Sequence, residues 1–79
     1  MVAPELDQVL GRILGTAWSP ARAEAGEPLG SLGVTSVMMV ELVLELEATY
    51  GVAIPDELLV AENFATVASV ESMMRKLAP

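Results

Sequence analysis

Residues 36–50 carry neither glycine nor proline, are dense in Val, Leu, Met and Glu, and stop at Gly51. A run of that length and composition is a helix, and Gly51 is the residue type expected just beyond its end, where a left-handed backbone closes the last turn. The whole chain has only 79 residues. One small domain, residues 1–79, must therefore be organised around this segment, with each apolar position counting in a small core.

The other elements fall on either side of it. Leu6, Val9, Leu10, Ile13 and Leu14 recur at helical spacing, Pro4 suits a first turn, and Glu5 and Asp7 complement the dipole there, so a helix is expected to end near Gly15. Over residues 18–35 the periodicity disappears while Pro, Gly and Ser rise, which predicts a long loop with Leu29 and Leu32 turned inward as anchors. A loop of that length in so small a domain tends to be functional. After Gly51, Ile54-Pro55-Asp56 reads as an extended approach to a cap, with Asp56 opening a short helix over residues 56–60. Thr66 is placed to cap a last helix with Val67, Val70, Met74 and Leu77 inward and Arg75 and Lys76 at its negative end. No alternating strand pattern, hairpin signal or repeat is visible. The expected fold is all-α, a small bundle of three long helices and one short helix.

Composition then narrows the function. There is no His and no Cys, which excludes nucleophile–His pairs, His or Cys metal centres and disulfides. Eleven acidic side chains against 4 basic ones give a formal charge of −7. Glu24, Glu27, Glu41, Glu45, Glu47, Asp56, Glu57, Glu62 and Glu71 lie between Arg22 and Arg75 with no basic residue among them. Nucleic acid is not a partner for such a surface, because phosphate-backbone binding needs cations. A basic protein surface is the natural complement, with an attraction that salt weakens. The N-terminal run lacks the features of a secretory signal and no stretch suits a membrane helix, so a cytoplasmic monomer without membrane attachment is expected.

The central helix has more apolar surface than its core contact needs. At about 100° per residue, Met39, Leu42, Val43, Leu46 and Tyr50 share one arc, sufficient for the core. Met38, Glu41, Glu45 and Ala48 fall opposite, facing water. Between them lies a second apolar strip, Val37, Val40 and Leu44, bordered by Glu41 and Glu47. This strip is either a docking surface rimmed by carboxylates or a face covered by the long loop or the short helix. The methionines at helical spacing read as core filler, and Trp18 as an amphipathic cover on the core.

Ser36 stands where the loop meets this helix. A helix N-terminus offers unpaired amides and the positive end of the dipole, so a phosphate joined to the Ser36 hydroxyl is favoured there, and Gly33 leaves room for approach. With no His or Cys, and no Lys nearby in the sequence, Ser36 lacks a base to make it a hydrolytic nucleophile. It suits modification by another enzyme better than catalysis. The competing assignment is that Ser36 or Thr35 is simply the N-cap.

The series Leu32-Gly33-Val34-Thr35-Ser36-Val37, Val40-Glu41-Leu42, Leu46-Glu47, Tyr50-Gly51-Val52, Ile54-Pro55-Asp56 and Phe64-Ala65-Thr66-Val67 resembles the acyl carrier proteins from the first helix to the last. The resemblance implies a non-catalytic carrier in which Ser36 receives 4′-phosphopantetheine from coenzyme A through a phosphopantetheinyl transferase. The arm's thiol would then hold acyl groups as thioesters. It also implies that acyl-loading and acyl-processing enzymes grip the second long helix through basic patches, at Val37, Val40, Glu41, Leu44 and Glu47. The family's usual Asp-Ser-Leu stands here as Thr35-Ser36-Val37, a departure that weakens assignment to primary fatty-acid synthesis, and the expected role is a freestanding carrier in polyketide or related secondary metabolism. Peptidyl carriers of nonribosomal pathways are similar too, although their Gly-Gly-(His/Asp)-Ser signature is absent. An unmodified acidic interaction module is the remaining alternative.

Overall fold

The computed structural model describes residues 2–78. Three long helices, α1 (Pro4–Leu14), α4 (Ser36–Tyr50) and α5 (Val67–Leu77), enclose an aliphatic core, and two short helices, α2 (Pro20–Glu24) and α3 (Leu29–Leu32), lie between the first two. No strand is present among the described residues. The expected all-α bundle of three long helices is what the chain forms.

α1 begins with Pro4 at its first position and ends at Gly15, whose φ of 58° closes the helix. It buries Leu6, Val9 and Leu10 and packs along α4. On the outer side of that contact, Arg12 reaches Glu45 Oε2 at 3.0 Å and Thr49 Oγ1 at 3.1 Å. Thr66 caps α5 by accepting the Ser69 N–H at 3.1 Å, and the helix buries Val67, Val70, Met73 and Met74, with Leu77 half-buried. The Ala3 N–H donates to Glu71 Oε1 at 2.9 Å, tying the start of α1 to α5.

Residues 18–35 are not the structureless loop the sequence suggests. Ser19 caps α2 through the Arg22 N–H, and Pro20 fills its first turn. Pro28 precedes α3, and Gly33 ends it at φ 109°. Each piece is about a single turn, too short to show a hydrophobic period, so local cap chemistry alone defines it. The segment is also well anchored: Ala23, Leu29, Leu32 and Val34 are buried, and Leu29 N–H donates to Ala65 O at 2.9 Å. Trp18 does cover the core, with its indole N–H on Asp7 Oδ1 at 2.6 Å.

After α4 the expected helix over 56–60 is replaced by two 3-10 turns, Asp56–Leu58 and Ala61–Phe64. Asp56 does not cap. Pro55 occupies the position before the first turn and Asp56 lies inside it. The bonds Leu58 N–H to Pro55 O and Leu59 N–H to Asp56 O span three residues rather than four, and Leu59, at φ −82° and ψ 64°, breaks the run.

Candidate functional site

The N-terminus of α4 divides its work between two neighbouring hydroxyls. Thr35 has an extended backbone, and its Oγ1 accepts the Met38 N–H at 3.3 Å while its own N–H meets Met38 Sδ at 3.5 Å. Thr35 is therefore the cap. Ser36 is the first helical residue; it is exposed, and its hydroxyl takes part in no hydrogen bond among the described residues. The amides of Ser36 and Val37 precede the first intrahelical bonds and point out of the helix end. No side chain of the first turn is charged, so nothing there repels a phosphodiester. These features fit a phosphate ester on Ser36 Oγ.

The approach to Ser36 is fixed. Val34 is buried and its N–H donates to Leu29 O at 3.0 Å. Gly33 serves chiefly to turn the chain: its φ of 109° is one that other residues rarely adopt, and a Cβ there would stand 3.5 Å from Leu14 Cδ2.

Neither the loop nor the short turns cover the second apolar strip of α4. Val37, Val40 and Leu44 are 82%, 65% and 61% exposed, and together with Ser36 and the exposed Glu41 they line one continuous patch. Two residues expected to face water, opposite the core arc, behave differently. Met38 is half-buried against the core, where it supports the cap, and Glu45 is half-buried in its pair with Arg12. Glu47 is also half-buried, with Oε2 accepting the Ile54 N–H at 2.7 Å.

Beside the patch runs an apolar groove of about 290 Å³ between α4 and the two 3-10 turns, lined by Met39, Val40, Val43, Leu59, Val60, Ala61 and Phe64. Val40 belongs to both surfaces. Periodicity places Met39 and Val43 in the core arc, but each also shows an edge to this groove. Its far wall comes from a segment without periodicity, so no sequence signal marks it.

No helix of the described residues is long and apolar enough to cross a membrane, and no group of three or more carboxylates among them is placed to hold a metal ion. A small helical bundle presenting a free serine at a helix start, beside an apolar patch bordered by the exposed Glu41, has the form of a carrier. Residues 4–74 match the family described as "Phosphopantetheine attachment site", and the chain belongs to that family. Its members carry covalently attached 4′-phosphopantetheine, are modified by phosphopantetheinyl transferases, work with partner enzymes and are generally non-catalytic. No curated protein and no solved structure gave a significant match.

Proposed function

We propose that this chain is a non-catalytic acyl carrier of polyketide or related secondary-metabolite biosynthesis, with 4′-phosphopantetheine attached at Ser36. The observation that carries this reading is the cap on Thr35, which leaves the neighbouring Ser36 hydroxyl exposed and unpaired at the first position of α4. Attachment forms a bond from Ser36 Oγ to the pantetheine phosphorus and breaks the diphosphate link of coenzyme A, releasing the adenosine bisphosphate. No side chain of the described residues bonds the Ser36 hydroxyl, so the transferase supplies the base that takes its proton. Once attached, the arm supplies the thiol that holds an acyl group as a thioester.

The residues around Ser36 then act by presentation. Val37, Val40 and Leu44 offer apolar anchors to a partner, Glu41 an exposed charge, and Glu47 a second carboxylate towards the other end of α4. A basic partner face complements this arrangement, and tethering raises the effective concentration of the cargo at each docked enzyme. The replacement of Asp-Ser-Leu by Thr35-Ser36-Val37 weakens assignment to primary fatty-acid synthesis.

Intact mass after incubation with coenzyme A and a broad-specificity phosphopantetheinyl transferase tests the assignment. The parent chain should gain the mass of one phosphopantetheine. Ser36→Ala should gain none while losing at most ~1 kcal/mol of stability, because Thr35 keeps the cap. Modification that persists in Ser36→Ala moves the site elsewhere, with Ser31 next to test, and no modification of the parent leaves an acidic interaction module. Loading by acyl-transferring rather than adenylating enzymes separates the acyl reading from a peptidyl one.

A further inference from the structure

Three amides of the turn after α4 converge on one residue. Glu47 O accepts the N–H of Gly51 at 2.9 Å and of Val52 at 3.2 Å, and Glu47 Oε2 accepts that of Ile54 at 2.7 Å. The main-chain bonds are what a helix ending in a left-handed glycine provides. The side-chain bond is not. A carboxylate in the last turn of a helix lies against the dipole, and the last turn of α4 holds no basic residue. The Ile54 N–H is what the Glu47 carboxylate finds there, and it is the shortest of the three contacts.

The bond has a place in the fold as well as a local partner. Ile54 is buried, and the next buried side chain is Phe64. Between these two anchors Leu58 packs half-buried against the core, and the residues that follow it form the far wall of the groove, with Leu59 and Val60 42% and 38% exposed. Inside this span the backbone bonds are local: Leu58 N–H to Pro55 O, Leu59 N–H to Asp56 O and Asn63 N–H to Val60 O. Asn63 Nδ2 donates to Leu58 O, again within the span. One end of the wall is thus set by how Ile54 is seated, and Ile54 is seated by its side chain and by Glu47.

We propose that Glu47 is a positioning residue, whose carboxylate oxygen fixes the 51–60 segment and so holds the Leu59–Val60 wall of the groove opposite Val40 and Val43. What is required is an acceptor at the reach of a glutamate, not a negative charge. Without it the Ile54 amide is left half-buried and unpaired, and the segment must open to let water reach it. The inference concerns the unmodified chain and does not depend on attachment at Ser36.

Two conservative variants separate reach from charge. Glu47→Gln keeps the length and an acceptor oxygen but removes the charge, whereas Glu47→Asp keeps the charge but is one methylene too short. Residue-resolved amide hydrogen exchange on the whole unmodified chain reads the result. In Glu47→Asp the Ile54 amide should exchange at least ~10-fold faster, a loss of ~1.4 kcal/mol in local opening free energy. Leu58 and Leu59 should follow it, while buried amides of α1 and α5 stay unchanged. Glu47→Gln should remain within ~3-fold of the parent at all of these positions. Parent-like protection in Glu47→Asp, or protection lost in Glu47→Gln, overturns the proposal.

Discussion

Residues 15–35 lead into α4 and residues 51–66 lead away from it, and both consist of single turns, yet the first buries Ala23, Leu29, Leu32 and Val34 while the second buries Ile54 and Phe64. The first is also cross-pinned by long side chains. Trp18 is held by Asp7, and Arg22 reaches both carboxylate oxygens of Glu27, at 2.9 and 2.8 Å, and Ser31 O at 2.9 Å. The second has one side-chain tie to α4, from Glu47 to Ile54, one within itself, from Asn63 Nδ2 to Leu58 O, and shares with the first the main-chain bond from Leu29 N–H to Ala65 O. The serine is therefore approached by a stiff segment, while the groove wall belongs to a softer one. Few buried contacts and mostly local backbone bonds are the physical signs of a region that opens easily. The contrast suits the proposed roles, in which Ser36 is held fixed as an attachment point while the surface beside it accommodates different contacts.

The most direct way to break this comparison is to truncate one leucine in each segment. Leu29→Ala empties a buried position and should cost ~2–5 kcal/mol, whereas Leu59→Ala removes a side chain already in part solvated and should cost less than ~1 kcal/mol. Denaturant midpoints at unchanged m-value measure both. Similar losses would show that the second segment is packed as firmly as the first.

The same contrast explains what could be read from the sequence. α1, α4 and α5 each repeat a hydrophobic pattern over several turns, and Gly15, Gly51 and Thr66 mark ends that the structure keeps. α2 and α3 offered only Ser19-Pro20, Pro28 and Gly33, residues equally at home in an irregular loop, so composition suggested a loop where two helical turns form. Asp56 misled in the opposite direction: as a residue type it favours capping, but Pro55 takes the position before the turn. The position of Ser36 at a helix start was legible. The division of labour with Thr35 was not, since Ser and Thr both cap well and only the bond from Met38 N–H decides between them. The Glu47 bond could not be foreseen either, because it joins a helix face to a loop through backbone whose path no periodicity fixes.

A smaller effect on stability, but a sharper one on function, is expected at Leu44, on the exposed strip of α4. At 61% exposure, its replacement by alanine should change stability by no more than ~0.5 kcal/mol. Transfer to or from a partner should weaken, mainly because the complex dissociates faster once an apolar anchor is lost. Thermal stability and acyl transfer measured on one Leu44→Ala sample decide the matter. Lost stability with normal transfer by the folded fraction would return this face of α4 to an ordinary core role, and with it the idea that the open surface lies on this side of the helix.

The smallest effect is expected where the softer segment begins. Tyr50 closes α4 immediately before Gly51 and is half-buried. Burial, and then the nearby carboxylates of Glu5 and Glu71, push its phenol above the ordinary tyrosine value. The folded chain therefore holds the phenolic proton more tightly than the unfolded chain does. The resulting contribution to stability is complete below about pH 10 and is lost as pH rises through the folded-state value. Chemical denaturation of the parent and Tyr50→Phe, compared at neutral pH and above about pH 10, isolates it from the titration of Lys76, which both chains share. The parent should lose more stability than Tyr50→Phe over that interval, because ionised Tyr50 would face two carboxylates at the junction from which the groove wall is suspended. Equal losses in the two proteins would mean that the phenol ionises without strain, and that the chain is already open to water at the first residue before the turn.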